Sequence, residues 1–142
     1  MDALQRLAEA RDTTLPRLRI FCRYCKKLMN FQDKVSFDFK GLHVITREGQ
    51  DKAVCPACCR VLASKEAQLA ALTKEAITCE GDLFNLLTKG GFFTTPVRCD
   101  LCLAPVGPSE KLLQLRFGLP FIFYRDRWRG YCRVCCSAKE LY

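Results

Sequence analysis

Four cysteine pairs, Cys22/Cys25, Cys55/Cys58, Cys99/Cys102 and Cys132/Cys135, share one spacing, with two residues between the sulfurs of each pair. Two thiolates so spaced reach adjacent corners of one tetrahedron without straining the backbone. A second pair, brought back by an intervening hairpin, completes a four-cysteine zinc site. Twenty-nine residues separate Cys25 from Cys55, and twenty-nine again separate Cys102 from Cys132. The spacing predicts two structural Zn2+ ions. Such sites are closed, since four protein ligands leave no position for a reacting water, so metal-assisted hydrolysis is disfavoured. The competing chemistry for Cys-x-x-Cys is thiol–disulfide exchange. Metal occupancy of the thiolates abolishes it, and four pairs at a repeated spacing favour the metal.

The pairs mark an internal duplication. Each member of the first set returns 77 residues later, and Lys34, Gly41, Leu42 and Ile45 return as Lys111, Gly118, Leu119 and Ile122. The hexapeptides CPACCR and CRVCCS each hold a third sulfur, Cys59 or Cys136. These two are expected to pack as small hydrophobes at the start of a helix, outside the metal sites. Cys79 has no counterpart at the repeat distance and is assigned no metal role.

Elements must bring the pairs together. In KVSFDFKGLHVITREGQDKAVC, residues Val35, Phe37 and Phe39 alternate with polar ones, and the segment reads as strand, turn, strand. Glu48-Gly49-Gln50-Asp51 supplies its turn. In KLLQLRFGLPFIFYRDRWRGYC the alternation slips by one. Either a bulge intervenes or the units bury different faces, which leaves Phe37 or Phe39 as a contact surface or both in the core. After Cys58 the chain reads as a helix over residues 60–76, with Leu62, Leu69, Leu72 and Ala76 on one stripe. A shorter helix follows in GDLFNLLTKGG, with Asp82 as N-cap and Gly90 as stop. Leu4, Leu7 and Ala8 suggest an N-terminal helix capped by Asp2.

The 142 residues carry eleven cysteines and a formal charge of +8. Eight zinc-bound thiolates on two dications reduce that charge to about +4, a modest basic excess. No signal peptide and no apolar run of membrane-spanning length is apparent, so a reducing, intracellular setting is expected.

Two copies of Cys-x2-Cys-x29-Cys-x2-Cys joined by a helix resemble the papillomavirus early protein six oncoproteins. The likeness extends to CRYCKK, GLHVITREG, AVC, VRC at 97–99 and RDRWRGYC at 125–132. It implies an α+β fold of two duplicated small zinc-binding domains, with four cysteine ligands each, joined by a linker helix: an N-terminal arm over 1–17, zinc domains over 18–60 and 91–142, and a helical linker over 61–90. Leu83-Phe84-Asn85-Leu86-Leu87 is read as part of that buried linker.

Family members are non-enzymatic adaptors that hold an acidic Leu-x-x-Leu-Leu helix of a host protein in a cleft. The resemblance places Tyr24, Leu42, His43, Ile45, Val54 and Leu62 on the apolar trough, and Arg98, Arg125 and Arg127 on the contacts to acidic and backbone groups. If residues 125–127 are extended, Arg125 and Arg127 point the same way. Trp128 is read as packing, and Phe39 matches a self-association position, so the chain is expected to be a monomer or to self-associate weakly. The implied partners are a mastermind-like coactivator of Notch signalling, favoured, or a HECT-type ubiquitin ligase, in the host nucleus and cytoplasm. The ending SAKELY lacks the PDZ-binding tail of some members. The alternative is a zinc-stabilised nucleic-acid binder, drawn from the aromatic–arginine interleaving of FYRDRWRGY.

Overall fold

The computed structural model describes residues 3–141. Its contacts divide the chain into two compact units, Met1–Val61 and Leu62–Tyr142. The mixed helix and sheet content and two four-cysteine clusters are those of two duplicated zinc-binding domains.

In the first unit, helix α1 (Ala3–Ala10) precedes strand β1 (Phe21–Cys22), helix α2 (Phe31–Phe39) and the hairpin β2 (Ile45–Arg47) and β3 (Gln50–Ala53). The sheet order is β1-β3-β2, with β1 parallel and β2 antiparallel to β3. Leu4, Ala8, Ile20, Met29 and Phe37 form its apolar core.

The expected first strand of this unit is instead a helix. Asn30 Oδ1 accepts the Asp33 N–H at 2.8 Å and the Asp33 carboxylate accepts the Asn30 N–H at 3.2 Å. This reciprocal capping satisfies two orphan donors and starts a helix whatever the alternation that follows. Once wound, Phe37 turns into the core while Phe39 is 68 % exposed. Asp38, on the same helix, receives the Leu4 N–H at 2.8 Å and the Gln5 N–H at 3.3 Å. The α1 amide end therefore meets a carboxylate from a distant segment, where its dipole favours one. Asp2, the expected cap, lies outside the described residues.

The second unit repeats this plan. Helix α3 (Pro56–Thr73) starts within the first unit and leads into strand β4 (Ile77–Cys79), helix α4 (Gly81–Leu87), strand β5 (Val97–Cys99), helix α5 (Pro108–Arg116), the hairpin β6 (Phe121–Tyr124) and β7 (Arg127–Gly130), and helix α6 (Arg133–Ala138). Its sheet order is β4-β6-β7-β5, with β5 parallel to β7 and the other pairs antiparallel. Helix α5 likewise replaces an expected strand. Glu110 accepts the Gly107 N–H at 3.0 Å, and Pro108 suits a first helical position.

The apparent slip between the repeats disappears with both segments helical. Lys34 and Phe37 are buried in α2, and Lys111 and Gln114 occupy the same turns of α5. The recurrent lysines have a physical reason. Lys34 Nζ donates to the carbonyls of Leu15 and Pro16 at 3.1 and 3.3 Å, and Lys111 Nζ to that of Thr95 at 2.7 Å. Burial pushes both amines below the usual lysine value. Lys111→Met is expected to cost about 1–3 kcal/mol, because it leaves the Thr95 carbonyl without its donor. Urea denaturation of the zinc-loaded chain checks this.

Three helical details also differ from expectation. Helix α3 starts at Pro56 and ends at Thr73, short of Ala76, and Leu72 is 79 % exposed. Ala63, Glu66, Ala67 and Ala70 form its less exposed face instead. Helix α4 is preceded by Glu80 as N-cap, with Asp82 inside its first turn, and it ends through two left-handed residues, Lys89 at φ +57° and Gly90 at φ +82°. Of Leu83-Phe84-Asn85-Leu86-Leu87, only Phe84 is buried and all three leucines are exposed. One buried residue per turn suffices on so short a helix, so the segment is not a buried linker.

Phe84 anchors the second core. Its ring stacks on Phe121 at 4.2 Å and meets Trp128 edge-on at 4.7 Å. Trp128 thus packs as its size suggests. Cys79 is buried in the same core, which raises its thiol pKa.

Candidate metal centres and peptide-contact residues

Each unit gathers four sulfurs by the same local geometry. After the first pair the chain turns through a left-handed residue, Lys26 at φ +66° in one unit and Leu103 at φ +68° in the other. Lys26 N–H returns to the Cys22 carbonyl, and Leu103 N–H to that of Cys99. The second pair arrives from the strand leading into a helix. Cys55 immediately precedes α3, and Cys132 caps α6 with its sulfur facing the Cys135 N–H at 3.5 Å.

The sulfurs of Cys22, Cys25, Cys55 and Cys58 lie within 4.8 Å of one another, and so do those of Cys99, Cys102, Cys132 and Cys135. A tetrahedron with Zn–S bonds of about 2.3 Å has edges of about 3.8 Å. The Cys25–Cys55 and Cys102–Cys132 separations are 3.8 and 3.7 Å. The two groups fit two structural zinc ions.

Backbone N–H groups prepare the sites for negative charge. Burial raises the Cys22 thiol, but backbone donors at Cys25, Cys55 and Tyr24 outweigh it and hold the pKa at about 6. At Cys99 a hydrogen bond with Cys102 is the largest influence, and backbone donors help to lower the value to about 5 against burial. The other sulfurs cannot easily follow. Burial and neighbouring sulfurs push Cys58 up to about 12, and burial with the charge of Cys99 does the same at Cys135. A bare site is a cluster of thiols that resist joint ionisation, and a dication removes that resistance. Cys59 and Cys136 are buried and lie outside both four-sulfur groups.

The peptide-contact residues expected from the resemblance divide between the units. Tyr24 and His43 are exposed, and Ile45 is half-buried at the start of β2. His43 lies in the loop before β2, not within a strand, because the hairpin begins only at Ile45. Leu42 and Val54 are half-buried and pack against the first unit's core. In the second unit, Leu62 is half-buried on α3.

Arg98 and Arg127 line one surface depression of about 280 Å3, which also includes Trp128. Arg98 reaches the Leu103 carbonyl at 2.9 Å. Arg125 does not project alongside Arg127 as an extended segment predicts. Arg125 and Asp126 are the two central residues of the β6–β7 turn, at φ +51° and +61°. Two successive left-handed residues are what a tight two-residue hairpin requires. The Arg125 guanidinium instead lies 5.1 Å from the Tyr124 ring centre. The first unit makes the same turn with Glu48 and Gly49 alone, while Gln50 and Asp51 already belong to β3.

Sequence reasoning missed the Arg129–Glu66 ion pair, in which Arg129 is buried and its Nη2 lies 3.0 Å from the carboxylate. Neither residue follows the repeat, so no spacing announced it. The pair removes one arginine from the basic face on which the nucleic-acid reading relied. Among the described residues, no helix is long and apolar enough to cross a membrane.

A family model described as Early Protein (E6) matches residues 22–135. The chain is 33% identical to Protein E6 of Human papillomavirus 12, over 98% of this chain and 84% of that protein. It is 32% identical to Protein E6 of Micromys minutus papillomavirus, over 93% of this chain and 84% of the relative. To Protein E6 of Human papillomavirus type 18 the identity is 29%, over 89% of this chain and 77% of the relative.

Proposed function

Because the chain belongs to the papillomavirus Early Protein (E6) family, we propose that it is a non-enzymatic adaptor that holds an acidic Leu-x-x-Leu-Leu helix of a host regulator. The trough is assigned to Tyr24, Leu42, His43, Ile45, Val54 and Leu62, and the cationic contacts to Arg98, Arg125 and Arg127. Helix-in-groove recognition needs an apolar surface for the leucines and cations for the acidic flanks. The observation that carries this reading is the shared depression of Arg98 and Arg127 beside Trp128. Arg98 and Arg127 line it together with Asp126 and Arg129, so arginines outnumber the single carboxylate there, and arginine suits bidentate capture of a carboxylate. A mastermind-like coactivator of Notch signalling is the favoured partner and a HECT-type ubiquitin ligase the second, with action in the host nucleus and cytoplasm. The exposed ring of Phe39 suits weak self-association.

Titration of a fluorescent acidic Leu-x-x-Leu-Leu peptide with the zinc-loaded chain tests the groove. Arg127→Glu is expected to weaken binding by roughly tenfold or more, since a like charge replaces a paired one, while both zincs stay bound. Equal affinity for the variant and the parent overturns the assignment.

A further inference from the structure

We propose that Cys25 is a covalent modification site, where a small soft electrophile of the α,β-unsaturated carbonyl class opens the first zinc centre while the second stays closed. The two centres fit the same metal but are enclosed differently. In the second, Cys99, Cys102, Cys132 and Cys135 are all buried, none more than 7 % exposed. In the first, Cys25 is exposed and Cys58 half-buried. The sulfurs of Cys22, Cys55 and Cys58 also have less protein around them than those of Cys99, Cys102 and Cys135. Among the described residues Cys25 is the one exposed cysteine, and the non-ligands Cys59, Cys79 and Cys136 are buried.

The duplication makes the contrast direct, because Cys25 and Cys102 hold the same position of the repeat. Each precedes a left-handed residue, Lys26 or Leu103. Their cover differs. Lys26, Lys27 and Leu28 after Cys25 are all exposed, whereas Ala104 and Val106 after Cys102 belong to the core of the second unit. Their donors differ too. The Ala104 N–H donates to the Cys102 sulfur. Among the described residues no N–H donates to Cys25 Sγ, whose partner is the Cys55 sulfur at 3.8 Å. A donor draws electron density from a thiolate, and nucleophilicity falls with basicity. Cys25 therefore combines access with an undiminished sulfur.

The step balances without an oxidant. Cys25 Sγ adds to the β-carbon of the reagent and forms an S–C bond. The π pair moves to the α-carbon, which takes a proton from water. The product is a neutral thioether in place of the thiolate that binds zinc. The first unit thus loses one of its four ligands, and with it the metal-linked part of its folding free energy.

N-ethylmaleimide is the probe. In excess reagent, the zinc-loaded chain is expected to release one ion roughly tenfold faster than the other, read with a chromogenic zinc indicator. With sub-stoichiometric reagent, mass mapping of chains that carry a single adduct should place it at Cys25. Cys25→His keeps a four-ligand site, since three cysteines and one histidine also hold zinc. It should slow the fast release roughly tenfold, whereas Cys102→His leaves that release fast. Release of both ions at one rate, single adducts in the second unit, or undiminished fast release from a two-zinc Cys25→His chain overturns the proposal. The release order and the mapping are read on the parent chain, so they decide the matter even where Cys25→His binds one ion only.

Discussion

Cys99→Ser is expected to unfold the second unit and to cut bound zinc from two ions per chain to one, whereas Cys136→Ala leaves both in place. Metal content by elemental analysis, with circular dichroism for folding, measures the contrast. Structural zinc contributes about 10–16 kcal/mol of apparent binding free energy at neutral pH, while a whole small domain is stable by about 5–15 kcal/mol. Losing the ion therefore exceeds what the rest of the unit can supply. Cys99 is the most severe position in its set, being fully buried and holding the sulfur most ready to ionise, at about 5. A serine hydroxyl there cannot replace the thiolate at neutral pH. The four ligands also belong to the same core cluster as Phe84 and Phe121, so disruption at the metal spreads directly into the packing. Acid acts in the same direction. Protons compete with zinc for the sulfurs, so the metal-linked stability is present at neutral pH and lost as pH falls. Zinc loss from Cys136→Ala would overturn the division of each hexapeptide into two ligands and one packing sulfur.

The metal centres were legible because the side chains that bind a tetrahedral ion must recur at a fixed spacing, whatever surrounds them. The same repeat carried more than was read from it. Lys34 and Lys111 stand 77 residues apart because both are buried amines that tie a helix to a loop carbonyl. Period-two alternation in Val35, Phe37 and Phe39 argued for a strand, yet Asn30 and Asp33 start a helix there by closing each other's backbone donors. A capping signal acts at one point and alternation along a segment, so a few apolar residues can mimic the wrong period. The inward face of α3 was obscured for a different reason. Its leucines dominate any count of hydrophobicity, but the face is made of Ala63, Ala67 and Ala70, whose small size is what matters. Arg125 was misplaced because nothing in RDR identifies a hairpin turn as Glu48-Gly49 does. Only the repeat, which aligns Arg125 with Glu48, carried that information.

Phe84→Ala is expected to destabilise the second unit by about 3–5 kcal/mol, against less than about 0.5 kcal/mol for Leu86→Ala two residues away. Urea denaturation of the zinc-loaded variants separates them. Phe84 is fully buried among Phe92, Phe121 and Trp128, with ring centres at 5.8, 4.2 and 4.7 Å. Removing its ring opens a cavity that three large, rigid neighbours cannot close, and it forfeits three aromatic contacts. Leu86 is 73 % exposed on the opposite face of α4, so its truncation removes little packing. Equal costs for the two variants would reverse the inward face of this helix. The core substitution should also reach the surface. Trp128 rests edge-on against Phe84 and lines the depression shared by Arg98 and Arg127. Loss of that support lets the indole shift and reshapes that depression. Phe84→Ala should therefore weaken the acidic peptide even where the unit remains folded and zinc-loaded, while Leu86→Ala leaves the titration unchanged. A peptide affinity indifferent to Phe84 would mean that the indole holds its place without the ring beneath it.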